Sequence, residues 1–214
     1  MKMSGDSVRV AQPLFPVEGQ GSIPMSPLQF EIVEITLEKA KELNFLWHSR
    51  LPKYNTGYLP NHKICFAAEY KNIYFAIAIW GMPSSPSIPY DTWLELKRMA
   101  IHVDAPKNTA SRMIKIMESV IKKKFTEIYM LISYQDTECH LGTIYKASNW
   151  KYGRLHKGAA AIRSHSRKKA KDNLHGTGFV PKIRWQKQIK QEPETKAATI
   201  KTPKKTPQKG LFDL

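Results

Sequence analysis

The sequence predicts an α/β fold with one mixed, mostly antiparallel sheet flanked by helices, followed by a disordered basic C-terminal tail. Two adjacent apolar runs, 63–70 and 73–80, are separated by a short turn and are typical of a β-hairpin. Residues 107–124 carry apolar side chains at helical spacing and follow a strand-like segment at 93–102. Residues 191–214 are mostly Lys, Thr, Pro and Gln, a composition that cannot bury a core.

The other elements complete a β-α-β-β-β-α-β-α-β series. Residues 1–27 combine Pro, Gly and Ser without apolar periodicity and are expected to form a flexible leader. A single domain is then expected over residues 28–190. Its remaining predicted elements are a strand at 30–35, a helix from Thr36 to Leu51-Pro52, a strand at 127–133, a short helix at 142–150 and candidate strands at 151–155 and 178–189.

Positive charge is concentrated in the C-terminal part of the chain. Residues 1–150 contain 17 Lys and Arg against 14 Asp and Glu, whereas residues 151–214 contain 17 against 4. This asymmetry indicates contact with nucleic acid, because phosphate neutralisation supplies much of the affinity for such a partner. A solvated tail that aids solubility is the alternative. The candidate DNA-binding residues are Arg163, Arg167, Lys168, Lys169 and Lys171.

The cysteines and the hydropathy of the sequence indicate in which cellular compartment the protein is expected. The two cysteines, Cys65 and Cys139, match neither a disulfide scaffold nor a zinc spacing, which indicates a reducing compartment. The N-terminus has no apolar signal core, and no apolar run approaches the ~18 residues of a membrane helix. We therefore expect a soluble, cytoplasmic protein without a membrane partner.

The start of the helix at 107–124 is a candidate anion-binding site. The first N–H groups of a helix are unpaired and the helix dipole is positive there, so a phosphate is favoured. Lys107, Asn108 and Ser111 are placed to help bind such a group. The alternative is that Thr109 or Ser111 simply caps the helix.

Arg98 lies near the end of the preceding strand. Its side chain could bind a phosphate or the carbonyl of an acyl donor, or it could pair with a carboxylate. By strand alternation Arg98 shares the face of Leu94 and Leu96 unless a bulge intervenes.

The order of elements over residues 28–190 resembles the fold of the GCN5-related N-acetyltransferases (GNATs). In this resemblance, 93–102 is the central strand and 107–124 is the cofactor helix. The resemblance implies acetyl-CoA or another acyl donor as cofactor. The segment 105–111 departs from that family, because it lacks the glycine that is usual in the phosphate loop.

Four strings carry a narrower resemblance: LKRMAIH, PKNTASRMI, ISYQD and HLGTIYKASNWKYG. Together they are similar to the phage Mom family of DNA-modifying enzymes, a divergent branch of the same fold. This resemblance implies an enzyme that converts the adenine amino group in duplex DNA to a carbamoylmethyl form and so protects the DNA from restriction. It also makes iron a candidate cofactor.

Asp136 follows the predicted strand segment 132–134, at the carboxyl end where open α/β sheets place their sites. Adenine N6 is a poor nucleophile, so a carboxylate that accepts an N6 proton would activate it. We assign that role to Asp136, against the alternative of an Asx-turn. His140 could pass the proton onward or only begin the next helix. The resemblance implies that Tyr145 protonates a leaving group, as the corresponding Tyr does in many acetyltransferases, whereas a core aromatic is the alternative.

Three aromatic residues fall where the GNAT fold usually covers the acceptor: His48, Tyr54 and Tyr58. Their rings could stack on a base swung out of the duplex, or they could be surface residues of a turn-rich loop. If a metal is bound, His48, Asp136 and His140 are candidate ligands, although no spacing fixes their geometry.

The last seven residues, 208–214, are an independent signal. Gln208, Leu211 and Phe212 resemble the Q-x-x-L-F peptide by which polymerases and repair enzymes hold the bacterial sliding clamp. The preceding KTPKKTPQK is too polar to fold, so the peptide is accessible to a partner. Tethering to the clamp would raise the effective concentration of an enzyme on newly made duplex.

Three classes of function are therefore open. The leading one is a Mom-type DNA-adenine modification enzyme. The second is a coenzyme A-dependent N-acetyltransferase that acts on a protein or a small amine. The third is a non-catalytic DNA-binding module tethered to the sliding clamp.

Overall fold

The computed structural model describes residues 7–14, 23–48, 51, 53–54, 62–156 and 181–192 of the chain. Within these residues, eight strands form one sheet and three α-helices accompany it. The elements are β1 (Ser7–Ala11), β2 (Glu31–Ile35), α1 (Leu37–Trp47), β3 (His62–Tyr70), β4 (Ile73–Gly81), β5 (Trp93–Ile101), α2 (Thr109–Lys124), β6 (Met130–Asp136), α3 (Thr143–Ala147), β7 (Lys151–His156) and β8 (Lys182–Gln188).

The sheet has the order β1-β2-β3-β4-β5-β6-β8-β7. All neighbouring strands are antiparallel except β5 and β6, which are parallel and are connected through α2. The predicted hairpin is present, and Lys71 and Asn72 adopt the left-handed conformations of its tight turn. The expected mixed, mostly antiparallel sheet is thus confirmed.

Apolar side chains on the two faces of the sheet face different helices. Helix α1 packs its apolar side on the face that presents Ile77 and Ile79 of β4. Helix α2 packs Met113, Met117 and neighbouring residues on the opposite face. Helices therefore cover both faces, as the sequence predicts.

Both long helices are shorter than predicted. Helix α1 ends at Trp47 rather than near Leu51, because His48 is extended and its ring accepts a hydrogen bond from the Leu51 N–H. Helix α2 begins at Thr109 because Asn108 is left-handed, with φ of 69°, and cannot continue a helix.

Strand β1 lies inside the segment that the sequence analysis assigns to a flexible leader. Ser7–Ala11 pairs antiparallel with β2, with Ser7 opposite Ile35. Val10 packs against the core, so the alternation of Val8 and Val10 does mark a strand, although it is too short to stand out among the surrounding polar residues.

Strand β5 contains one extra residue, Lys97. In the ladder with β4, Leu96 pairs with Trp80 and Arg98 pairs with Ile79, so no β4 residue lies opposite Lys97. Such a β-bulge reverses the alternation of side chains beyond it. Arg98 therefore shares the α1 face with Ile79, whereas Leu96 faces α2. This is the exception that the sequence analysis allowed for.

The parallel ladder between β5 and β6 is short. It joins Trp93–Leu96 to Met130–Ser133 and goes no further within the described residues. Both strands continue past this point, β5 to Ile101 and β6 to Asp136. Their carboxyl ends therefore separate beyond the bulge.

The segment around α3 links the separated carboxyl ends of β5 and β6 to helix α2. Gly142 has φ of 71°, and a Cβ atom there would lie 2.5 Å from Gln135 Oε1, so only glycine fits. Asn149 is also left-handed and ends the turn after α3. The next residue, Trp150, donates from Nε1 to the buried Glu118 carboxylate of α2 at 2.6 Å. The conformation of this segment and its attachment to α2 thus depend on Gly142, Asn149 and Trp150.

The proposed DNA-binding segment 163–171 and the clamp-binding peptide 208–214 lie outside the described residues. None of the helices in the described part of the chain combines the length and the apolar composition that a membrane crossing requires.

We predict that Trp150→Phe lowers the free energy of unfolding by about 1–3 kcal/mol, because the Glu118 carboxylate loses a buried hydrogen-bond donor while the ring packing is largely kept. Urea denaturation followed by circular dichroism measures this loss. Ser119→Ala, at an exposed position of the same helix, is the control and should change stability by less than about 0.5 kcal/mol. Equal stability of Trp150→Phe and the unsubstituted protein would contradict this anchoring role.

Candidate active site

The separated ends of β5 and β6 border a cleft of about 780 Å³. Its walls come from the bulged half of β5, the end of β6, the loop 139–142 and α3. His48 and Leu51, which follow α1, close one side, and His156 and Lys182 of the β7–β8 pair close another. The volume is typical of sites that bind small molecules and cofactors.

Tyr145 projects from α3 into this cleft and is also buried in the core. Its ring stacks on Trp185 with ring centroids 5.6 Å apart. Tyr145 is therefore a core aromatic that also lines the cleft, and its role as an acid stays a prediction. Burial raises the pKa of Tyr145, so its phenol stays protonated at neutral pH and keeps a proton to donate.

The direction of the Tyr145 hydroxyl proton follows from its neighbour Ser133. Ser133 Oγ donates its one proton to the Leu96 carbonyl at 3.1 Å. Ser133 Oγ also lies 2.9 Å from the Tyr145 hydroxyl, so in this pair Tyr145 must be the donor. To protonate a leaving group, the Tyr145 hydroxyl has to turn away from Ser133 and give up a neutral hydrogen bond worth about 1 kcal/mol.

Asp136 is the last residue of β6 and not part of the loop beyond it, which corrects its predicted position. The ladder between β6 and β8 extends this far, with Asp136 opposite Lys182. Its Oδ1 accepts from the Glu138 N–H at 3.0 Å, which is the Asx-turn geometry named as the alternative. Asp136 still lines the cleft, so the turn and a role at the site are compatible.

His140 lies on the loop that rims the cleft, and its side chain is exposed. Its backbone carbonyl accepts from the amide nitrogen of Gln135, a buried residue of β6. The Gln135 oxygen accepts from Trp185 Nε1 at 2.6 Å. These two hydrogen bonds fix the loop 139–142 and hold the Gln135 side chain close to Gly142.

His48 lies at the cleft mouth as a neutral imidazole. Its Nδ1 accepts from the Leu51 N–H at 3.2 Å, so the ring proton is on Nε2. Burial, Arg98 and His140 together lower the pKa of His48 to about 4. At neutral pH the ring can therefore donate a hydrogen bond to a bound group, but it is not a cation.

Arg98 extends from the bulge into the same region. Its guanidinium lies over the Tyr54 ring, 5.4 Å from the centroid, and donates to the Lys97 carbonyl at 2.6 Å. Its Nε is buried without a hydrogen-bond partner, and no ion pair to Arg98 occurs among the described residues. The alternative of a carboxylate partner for Arg98 is therefore not found among the described residues. Tyr54 packs against Arg98 but does not line the cleft, and Tyr58 lies outside the described residues.

The start of α2 meets the cleft through Ala110. No side chain caps this helix: Ser111 Oγ donates to the Asn108 carbonyl at 3.0 Å, and Thr109 Oγ1 donates to the Pro106 carbonyl at 2.6 Å. The capping alternative for Thr109 and Ser111 is therefore wrong. The helix start presents its backbone N–H groups to an anion without a competing side-chain acceptor.

A buried ion pair in the cleft wall was not predicted. Lys97 Nζ lies 3.3 Å from Glu95 Oε2, and the two side chains are 8% and 7% exposed. Ser84 links them, because its N–H donates to Glu95 at 2.6 Å and its Oγ accepts from Lys97 at 2.7 Å. Burial lowers the pKa of Lys97, and Glu95 opposes that shift. The sequence does carry a signal for this ion pair, because Glu95 and Lys97 are charged residues within the otherwise apolar start of β5.

The described residues include no group of three His, Cys, Asp or Glu side chains that could hold a metal ion. The predicted set of His48, Asp136 and His140 is therefore not assembled as a ligand set. The described residues therefore do not fit an iron site, because their imidazole and carboxylate groups are not gathered around one point.

The arrangement of strands and helices belongs to the GNAT class of fold, as its similarity to solved structures shows. A GNAT family acetyltransferase from Elizabethkingia anophelis with acetyl-CoA bound matches with a TM-score of 0.53 and 16% identity, covering 75% of this chain and 98% of that one. An N-acetyltransferase from Staphylococcus aureus Mu50 matches with a TM-score of 0.50 and 12% identity, covering 75% and 97%.

The amino-acid sequence identifies the family within this fold class. A family model described as the Mom protein family matches residues 78–204, which is more than half of the chain. The chain therefore belongs to the Mom family, as the sequence strings indicate. Comparison with curated protein sequences gives no significant match.

We predict that the His48 imidazole titrates with a pKa of about 4 rather than the ordinary 6.5. The unfolded chain binds this proton at higher pH than the folded one, so the contribution of His48 to stability falls as pH drops from about 6.5 to about 4. Histidine NMR titration measures the pKa, and His48→Gln should flatten the loss of stability in that window. Titration of His48 near 6.5 would contradict the buried, neutral assignment.

We predict that Lys97→Met costs about 3–5 kcal/mol of folding free energy, because it leaves the Glu95 carboxylate buried without its cation. Adding Glu95→Gln to that variant should restore part of the loss. Lys39→Met breaks the exposed Lys39–Glu42 pair and is the matched control, with an expected loss below about 1 kcal/mol. Similar losses in the buried and the exposed pair, measured by urea denaturation, would refute the assignment.

Proposed function

We propose that the protein is a DNA-modification enzyme that transfers an acyl or carbamoylmethyl-type group to the exocyclic amine of adenine. The observation that carries this proposal is the combination of Mom family membership with a GNAT-type cleft that holds a protonated tyrosine. Such a modification would protect the DNA from restriction.

The group donor would enter from the α2 side of the cleft. The structurally similar Elizabethkingia protein has acetyl-CoA bound, which supports a coenzyme A-type donor here. When bound, such a donor supplies the activated group for transfer. The uncapped N–H groups at the start of α2, with Lys107 and Asn108 beside them, would hold its phosphates. Arg98, whose Nε has no hydrogen-bond partner, could bind a phosphate or the carbonyl of the donor.

The adenine would reach the cleft from the side of His48 and Asp136. A base held in a duplex is inaccessible, so the nucleotide must first swing out of the stack. Asp136 would accept a proton from N6 as the new bond to nitrogen forms, and the Tyr145 phenol would give its proton to the leaving group. His48, with its proton on Nε2, would donate a hydrogen bond to the bound base.

A coenzyme A-dependent N-acetyltransferase acting on a protein or small amine is the second candidate. It is favoured by the acetyltransferase activities named for both structural matches. In that case the same cleft and Tyr145 would serve, and DNA would not be the acceptor.

The C-terminal peptide keeps its proposed role in this scheme. Gln208, Leu211 and Phe212 would tether the enzyme to the sliding clamp and so to newly made duplex. A non-catalytic, clamp-tethered DNA-binding module would use the same peptide.

We predict that DNA from cells expressing the protein contains a modified adenine nucleoside, detected by mass spectrometry after enzymatic digestion. Tyr145→Phe keeps the ring stacking and removes the acid, so the yield should fall by about 10²–10⁴. Asp136→Asn should cause a comparable loss. Tyr152→Phe, an exposed tyrosine on β7, is the control and should leave the yield unchanged.

Unmodified DNA together with acetylation of a protein or small amine would favour the second candidate. Unmodified DNA and an unconsumed donor, with duplex binding intact, would favour the non-catalytic module. Full activity of a folded Tyr145→Phe protein would assign Tyr145 to the core alone.

A further inference from the structure

Strands β7 and β8 place positive charges directly opposite one another. Arg154 of β7 pairs with Arg184 of β8, and His156 pairs with Lys182. Like charges at directly opposed positions of an antiparallel ladder are destabilising. A neighbouring anion would therefore stabilise the Arg154–Arg184 pair, whereas His156 opposite Lys182 is neutral at neutral pH because burial and the two arginines lower its pKa.

The four residues share one face of the sheet. In the ladder with β6, Arg184 lies opposite Tyr134 and Lys182 lies opposite Asp136, whereas Trp185 points to the other face and into the core. Helix α1 lies over β3, β4 and β5, so none of the described helices covers this part of the sheet. The face adjoins the cleft, which Tyr134, His156 and Lys182 also line.

The polar atoms of this face are incompletely satisfied. Arg184 lies over the Trp93 ring, 5.8 Å from the centroid, and makes a long bond of 3.4 Å to Gln186. Its Nε and the His156 Nε2 are buried without hydrogen-bond partners. Arg184 and Arg154 also contribute, after burial, to lowering the pKa of His156.

Little negative charge balances this face. Asp136, which lies opposite Lys182, is the one acidic residue in the described strands β6, β7 and β8, so these strands place no carboxylate beside the Arg154–Arg184 pair. Among the described residues, neither Arg154 nor Arg184 forms an ion pair. An anionic ligand would supply the missing charge and the missing acceptors together.

We propose that the basic face, formed by Arg154, His156, Lys182 and Arg184, binds the phosphate backbone of double-stranded DNA beside the cleft. This inference rests on the proposed function and deepens it, because it assigns the surface that would place a swung-out adenine at the cleft mouth.

A polymeric anion fits this face better than a single phosphate does. Residues two apart on a strand are about 6.8 Å apart, so the face spans more than one phosphate of a DNA strand. Residues 151–190, which include these strands, contain 12 Lys and Arg against one Asp, so the sequence around the strands carries charge of the same sign. The phosphates of a coenzyme A-type donor are the competing source of the same chemistry, and the test must separate the two.

The test uses the full-length protein and a fluorescent DNA duplex. Binding is measured by anisotropy over a series of salt concentrations for the unsubstituted protein, Arg154→Gln and the double variant Arg154→Gln/Arg184→Gln. Each lost phosphate contact should lower the slope of log affinity against log salt by about 0.9, so the double variant should lose up to about 1.8. The control is Lys122→Gln/Lys123→Gln, which removes the same charge from the far end of α2 and should leave the slope nearly unchanged.

A second arm measures coenzyme A binding by calorimetry with the same variants, and we expect no change. Unchanged salt slopes for both basic-face variants would overturn the proposal, and so would a loss of coenzyme A affinity with DNA binding intact. Arg154 is exposed, so its single variant is expected to fold and keeps the test decisive even if Arg184→Gln is unstable. If the salt slope falls but no modified adenine forms, the basic face stands and the proposed function fails.

Discussion

The single inserted residue at Lys97 is the constraint on which the cleft depends. It lies at the point where β5 stops pairing with β6, and it turns Arg98 from the α2 face to the α1 face. With uninterrupted alternation, Arg98 would enter the apolar core beneath α2, where a guanidinium has no acceptor. The bulge therefore opens the sheet and, by the same shift, directs the cation toward the cleft.

Charge is distributed unevenly around this opening. Inside the cleft, the phenol of Tyr145 and the imidazole of His48 are held neutral by burial, and the charges of Lys97 and Glu95 compensate each other. Outside it, the β7–β8 pair carries an excess of positive charge. Under the proposed function, a polyanionic substrate would be held at the rim while the reacting atoms enter a cleft in which Arg98 is a cation without an ion pair among the described residues, and in which each hydrogen bond is stronger than in water.

Much of this arrangement could be predicted from local patterns. The hairpin at Lys71-Asn72 and the faces of α1 and α2 follow from turn chemistry and periodicity, which act over a few residues. Position within the site could not be predicted in the same way. The Glu95–Lys97 pair depends on Ser84, and the fixed loop at His140 depends on Gln135 and Trp185. Such contacts join residues far apart in sequence, and no spacing encodes them.

The bond between Tyr145 and Ser133 has a mechanical consequence. Ser133 is the last β6 residue in the parallel ladder, and its hydroxyl donates to the Leu96 carbonyl of β5 while it accepts from Tyr145 of α3, so one side chain links two strands and a helix. A ligand that draws the tyrosine proton to itself breaks the link between α3 and β6 and leaves the link between the two strands in place. The free energy of the broken bond is subtracted from the affinity of such a ligand, so a variant that weakens this bond would tighten binding without any new contact to the ligand.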